Sequence, residues 1–118
     1  MKSHLFIVDD DANTLASLSR AFRLAGHEAT VCDNPVKALD IIRQEKFDLI
    51  FSDVMMPVKD GLQLLEEVQK RRLPADVIIT TGFGTGNATF ALAQGADAYE
   101  PKPINPESFL ATVARLLE

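Results

Sequence analysis

Three aspartates in succession, Asp9-Asp10-Asp11, follow the apolar run Leu5-Phe6-Ile7-Val8, and Asp53 follows Leu49-Ile50-Phe51 after Ser52. Thr80 and Thr81 close another apolar run, Val77-Ile78-Ile79, and Lys102 comes shortly after Ala98-Tyr99. Carboxylates gathered in one place repel, so they need a cation or a proton to share it. An oxygen-lined pocket with several carboxylates suits Mg²⁺, which binds through a few protein oxygens together with water and phosphate. One carboxylate can then attack a phosphoryl group while the metal neutralises the charge that develops. A lysine supplies a point charge to a phosphoryl oxygen, and a threonine hydroxyl supplies a hydrogen bond. Phosphoryl transfer asks for little beyond such positioning and charge stabilisation.

These groups are far apart in the chain, so the elements between them must bring them together. Leu5–Val8 is a short continuous apolar run, as expected of a strand buried on both faces. Leu15, Leu18, Phe22 and Ala25 recur at helical spacing, and Gly26 supplies the stop. Ala29–Cys32 reads as a less apolar strand suited to a sheet edge. Asn34-Pro35 is an N-cap with proline at the first helical position, opening a helix through Ala38, Leu39, Ile41 and Ile42. Leu49–Phe51 is the third strand, and Leu62, Leu65 and Val68 stripe the third helix. Val77–Thr80 is the fourth strand, followed by an alanine-rich helix from Ala88 to Gln94 that Gly95 closes. Ala98-Tyr99 is a short fifth strand. Asn105-Pro106 repeats the cap before Phe109, Leu110, Val113, Leu116 and Leu117.

Strands alternating with helices and free of hairpin signals imply parallel pairing through right-handed crossovers. The fold expected is α/β: a doubly wound, five-stranded parallel sheet with helices on both faces. For the polar strand ends to converge, strands one, three, four and five must be neighbours. That puts strand two outside strand one and makes the order 2-1-3-4-5. Ligands of such sheets sit at the carboxyl edge, where all these strand ends lie.

A chain of 118 residues suits one domain, residues 1–118, and 47% hydrophobic with 25% charged residues is a globular balance. The net charge of −5 argues against a nucleic-acid-binding surface. Lys70-Arg71-Arg72 reads as a helix end where cations meet the negative end of the dipole. A single cysteine, Cys32, excludes an internal disulfide and fits a buried apolar position in a reducing compartment. The apolar run after Met1-Lys2-Ser3-His4 is too short for a signal peptide or a membrane span, so a cytoplasmic location is expected. His4 and His27 are too isolated in sequence for a metal pair and read as surface or edge positions.

Taken together, Val8-Asp9-Asp10, Asp53-Val54-Met55-Met56-Pro57 with Asp60-Gly61, Thr81-Gly82 and Lys102-Pro103 resemble the receiver domains of two-component response regulators. The resemblance runs from about Leu5 to the C-terminus and implies a CheY-like, flavodoxin-like (βα)5 sandwich. It implies that Asp53 is the phosphoacceptor and that Asp9 and Asp10 are the acidic pair. Asp10 would be the more direct Mg²⁺ ligand and Asp9 would act through water, although Asp11 leaves that register open. The backbone carbonyl of Met55 would complete the metal site. Thr81 matches the switch hydroxyl, with Thr80 as its rival, and Lys102 matches the phosphate-binding lysine. The bond to Pro103 would be cis, a geometry that proline makes accessible.

Tyr99 falls where the family places an aromatic switch residue. Phosphorylation would draw Thr81 toward Asp53, turn Tyr99 inward and alter the surface of the fourth helix, fifth strand and fifth helix. The implied partners are a sensor histidine kinase or phosphotransfer protein and a downstream output domain or protein. A homodimer is compatible with this, and neither direct nucleic-acid binding nor membrane contact is implied. Thr81-Gly82-Phe83-Gly84-Thr85 is similar to receivers fused to NtrC-type transcriptional activators. The stretch from Thr81 to Gly95 is slightly shorter than the family's common pattern and carries four glycines, so the fourth helix is expected to start late or to be mobile.

Plainer readings compete with each motif. Asp9–Asp11 alone is a polar loop with a helix cap, Tyr99 alone is a core-edge aromatic, and Asp60-Gly61 is a loop-to-helix signal. The glycine-rich run from Gly82 lacks a Walker lysine and follows the fourth strand, so it reads as a flexible loop. An aspartate-nucleophile phosphatase would carry a second aspartate two residues after Asp53, where this chain has Met55. A flavodoxin-like FMN carrier would need a phosphate loop after the first strand, where three aspartates would repel it. A receiver-like module that binds partners without phosphorylation is the remaining alternative. Met55 and Phe83 offer no group to orient an attacking water, so a long-lived phosphoryl-aspartate is expected.

Overall fold

The computed structural model describes residues 3–53, 62–81, 92, 95–101 and 104–117. Five strands form one parallel sheet: β1 His4–Val8, β2 Glu28–Cys32, β3 Leu49–Asp53, β4 Asp76–Thr81 and β5 Ala98–Pro101. The helices are α1 Ala12–Leu24, α2 Pro35–Gln44, α3 Leu62–Arg71 and α4 Pro106–Leu116. The sheet order is β2-β1-β3-β4-β5, as the convergence of polar strand ends requires. The fourth helix expected from the sequence, Ala88–Gln94, lies outside the described residues except for Leu92, so α4 here is the C-terminal helix.

Local signals start and stop the helices. Asp11, Asn34 and Asn105 each cap a helix, their side chains accepting from backbone N–H groups of Asn13, Val36 and Glu107 at 2.9, 2.8 and 3.0 Å. Pro35 and Pro106 occupy the first turn, where no intrahelical donor is needed. Gly26, at φ +92°, ends α1, with His27 N donating to Phe22 O and Gly26 N to Arg23 O. α3 ends the same way without glycine: Arg72 takes φ +54°, and Leu73 N reaches Val68 O at 3.0 Å.

Successive strand residues face opposite ways, and each face buries its own core layer. Leu5, Ile7, Leu49, Phe51, Ile78 and Ala98 face α1 and α4. Phe6, Val8, Ile50, Val77 and Ile79 face α2 and α3. Fully buried Phe109 of α4 lies 5.3 Å from the ring of Phe22 and 5.0 Å from that of Phe51, joining α1, β3 and α4. Exposed Glu28 and Val31 mark β2 as the edge strand that its mixed composition suggested.

Strand ends run beyond the apolar runs. β4 begins at Asp76, and β5 continues through Glu100 to Pro101, which pairs with Thr81. The backbone ladder does not require an apolar side chain, and a proline is tolerated because β5 lies at the edge of the sheet.

Candidate functional site

Asp9 lies one residue beyond β1, its N–H bonded to Cys32 O at 3.2 Å so that the β1–β2 ladder continues. Asp53 is the last residue of β3. Val8 pairs with Ser52, so the next residues on the two strands, Asp9 and Asp53, come side by side at the carboxyl edge. Carboxylate oxygens of Asp9, Asp10 and Asp53 all lie within 4.8 Å of one another. Asp9 is 0% and Asp53 3% exposed, while Asp10 faces solvent. Hard oxygen donors at this separation, two of them buried and one open to solvent, fit a divalent cation of the Mg²⁺ type.

Asp11 stands apart from this group. Its carboxylate accepts from Asn13 N at 2.9 Å and from Thr14 Oγ1 at 3.1 Å, the arrangement of a helix cap. Its own N–H donates to Asp9 Oδ1 at 2.9 Å and so orients the first carboxylate. The ambiguity among three consecutive aspartates thus ends in two positions: Asp9 and Asp10 in the acidic group, and Asp11 on the helix.

Thr81 closes β4 opposite Pro101. Thr80, the rival for the hydroxyl role, is fully buried and donates its hydroxyl to the backbone carbonyl of Glu100. Tyr99 pairs with Ile79 and is half-buried against the core layer on the α2 and α3 side. That burial raises the pKa of its phenol. Met55, Lys102 and Pro103, together with the expected cis bond, lie outside the described residues.

His4 and His27 lie at the amino end of the sheet, away from the acids. His4 Nε2 is 2.8 Å from Thr30 Oγ1, and its ring rests on Phe47. A cleft of about 460 Å³ beside them is lined by Arg23, Glu28 and Thr30 among others and has no part in the acidic group.

Sequence reasoning passed over Glu100 and Thr112. Glu100 is buried on β5, and its Oε1 accepts from Thr112 Oγ1 of α4 at 2.6 Å. The available signal was positional: Glu100 stands two residues after Ala98, on the core side of a short strand, where an acid is out of place.

Comparison with known proteins supports the fold. The response regulator receiver domain family matches residues 5–114. The chain is 36% identical over 116 residues to the response regulator protein FleR of Pseudomonas aeruginosa, covering 98% of this chain and 24% of FleR. It is 34% identical over 114 residues to the DNA-binding transcriptional regulator NtrC of Escherichia coli, covering 96% of this chain and 24% of NtrC. The chain therefore spans about a quarter of the length of these relatives. A CheY-like response regulator receiver domain protein from Methanospirillum hungatei superposes with a TM-score of 0.91 at 33% identity, covering 99% of this chain and 94% of that one.

Proposed function

The chain belongs to the response regulator receiver family of two-component signalling, and from that premise we propose that it is a switch loaded with a phosphoryl group on Asp53 in a Mg²⁺-dependent reaction. The observation that carries this reading is the convergence of Asp9, Asp10 and Asp53 at the carboxyl edge of the sheet. Asp10, Asp53 and the backbone carbonyl of Met55 would hold the ion, with Asp9 acting through water. When bound, Mg²⁺ neutralises charge on the crowded carboxylates and on the phosphoryl oxygens.

A carboxylate oxygen of Asp53 forms the new bond to phosphorus as the donor's bond to phosphorus breaks and the donor leaves with the electron pair. Lys102 and the Thr81 hydroxyl hold phosphoryl oxygens. Pro103, in the cis form, sets the course of the chain after Lys102. Tyr99 turns inward as Thr81 is drawn to the site, which alters the surface of residues 88–94, β5 and α4.

The donor in this reading is a sensor histidine kinase or phosphotransfer protein in the cytoplasm. The receiver is an acceptor that catalyses only its own loading and hydrolysis, with no separate substrate. The relative NtrC, a DNA-binding transcriptional regulator, favours an output module that regulates transcription, attached to or bound by a receiver domain spanning residues 1–118.

The test is intact mass after incubation with acetyl phosphate, with Mg²⁺ or with EDTA, beside Asp53→Asn. The chain has no tryptophan, so mass serves better than intrinsic fluorescence. Gain of one phosphoryl group that needs Mg²⁺ and is lost in Asp53→Asn is the expected result. No gain with either acetyl phosphate or a phosphorylated histidine donor would replace this reading with a phosphorylation-independent interaction module.

A further inference from the structure

Four buried polar side chains form one row across the sheet. Asp9 stands beside Asp53, Asp53 pairs with Thr80, and Thr80 pairs with Glu100. All four are buried, Glu100 at 6% exposure. Alternation along each strand puts Asp53, Thr80 and Glu100 on the face where Phe51, Ile78 and Ala98 meet α1 and α4. Two hydrogen bonds extend the row to the helix. Thr80 Oγ1 donates to the Glu100 carbonyl, and Thr112 Oγ1 on α4 donates to Glu100 Oε1 at 2.6 Å.

The acidic site accounts for Asp9 and Asp53 but not for Glu100. A carboxyl group at a core position costs free energy that an apolar side chain would not. Thr112 adds a second feature. Its hydroxyl has one hydrogen and two acceptors within reach, Glu100 Oε1 and its own helix's Ser108 O at 3.2 Å. Bonded to Glu100, it ties α4 to β5; bonded to Ser108, it is satisfied within the helix and the tie is gone. The single hydroxyl hydrogen thus has two acceptors to choose between, which is what a two-state coupling element needs.

We propose that Glu100 and Thr112 are positioning residues that couple the charge state of Asp53 to the seating of α4. Adjacent strands lie about 4.8 Å apart, so Glu100 is about 10 Å from Asp53 across a buried, low-dielectric row. Added charge at Asp53 shifts the Thr112 hydroxyl between its two acceptors, and by reciprocity the seating of α4 shifts the free energy of charging Asp53. The trigger rests on the acceptor reading of Asp53; the contact does not.

The experiment is a double-mutant cycle read by amide hydrogen exchange across α4, using the whole chain as wild type, Asp53→Asn, Thr112→Val and the double variant. Residues this far apart normally act additively, to within about twofold in a rate. Coupling predicts that Asp53→Asn changes α4 exchange about fivefold or more in the wild-type background and less than about twofold beside Thr112→Val. Thr112→Ser, which keeps the hydroxyl, restores the response. Glu100→Gln, which keeps the side-chain length and removes the charge, weakens it and serves if Thr112→Val folds poorly. An equal Asp53→Asn response with and without the Thr112 hydroxyl overturns the proposal. The cycle needs no phosphoryl donor, so failure of the wild type to gain mass from acetyl phosphate counts against the acceptor reading alone.

Discussion

Asp10 and Asp11 are neighbours with the same side chain and different tasks. Asp11 accepts two hydrogen bonds at the start of α1, so Asp11→Ala should cost about 1 kcal/mol of stability. It should still load Asp53 in a Mg²⁺-dependent way. Asp10 is exposed and makes up the acidic group. Asp10→Ala should therefore leave the metal-free unfolding free energy no lower than that of wild type, because it relieves repulsion among the crowded carboxylates, while raising the Mg²⁺ concentration needed for loading. Urea unfolding and mass-detected loading on the same two variants separate the roles, and the reverse pattern would reassign them. Met55, two residues after Asp53, bears on lifetime. With no side-chain group there to place an attacking water, the phosphoryl-aspartate should outlast removal of the donor by minutes or more. Intact mass followed over time checks this, and decay within seconds would refute it.

Between elements, the sharpest electrostatic feature among the described residues lies away from the site. Glu67 of α3 accepts from Arg43 of α2 and from Arg71 one turn along its own helix, and Arg43 also lies 3.5 Å from Asp40. Hydrogen bonds from Arg43 and then Arg71 lower the Glu67 pKa to about 2. The folded-state value is below the ordinary 4.5, so this contribution is fully present above pH 4.5 and fades as pH falls through 2. Glu67→Gln should lower the urea midpoint at pH 7, and the gap to wild type should close between about pH 4.5 and 2. The side chains are partly solvated, so added salt should also narrow it. Asp76 has the opposite sign: burial, and secondarily the charge of Asp97, raise its pKa, so its ionised form opposes folding at neutral pH. A gap that stayed constant from pH 7 to pH 2 would show that Glu67 acts through packing rather than charge.

For the whole molecule, the two core layers determine how firmly the carboxyl edge is assembled. Among the described residues, Phe109 is the single fully buried ring in contact with both α1, through Phe22, and β3, through Phe51. Phe109→Ala should cost about 3–5 kcal/mol, a large share of the roughly 5–15 kcal/mol typical of a domain. Guanidinium unfolding with an unchanged slope and a lowered midpoint is the expected result. A loss below about 1 kcal/mol would mean that α4 is seated mainly by polar contacts such as that of Thr112.

Much of this architecture was legible before any coordinates. Apolar runs bounded by caps and glycines located the five strands and the four described helices, because those signals act over a few residues. The sheet order followed from one requirement, that four polar strand ends meet. Local pattern could not say which of Asp9, Asp10 and Asp11 leaves the acidic group, because one residue of phase at the end of β1 decides it. Nor could it say that Thr80 would engage the Glu100 carbonyl, or that Glu100 would meet Thr112 across the α4 interface. Those contacts depend on inter-strand register and on the rotation of a helix over the sheet. Both are set by packing among residues distant in the chain, and so only the tertiary structure decided them.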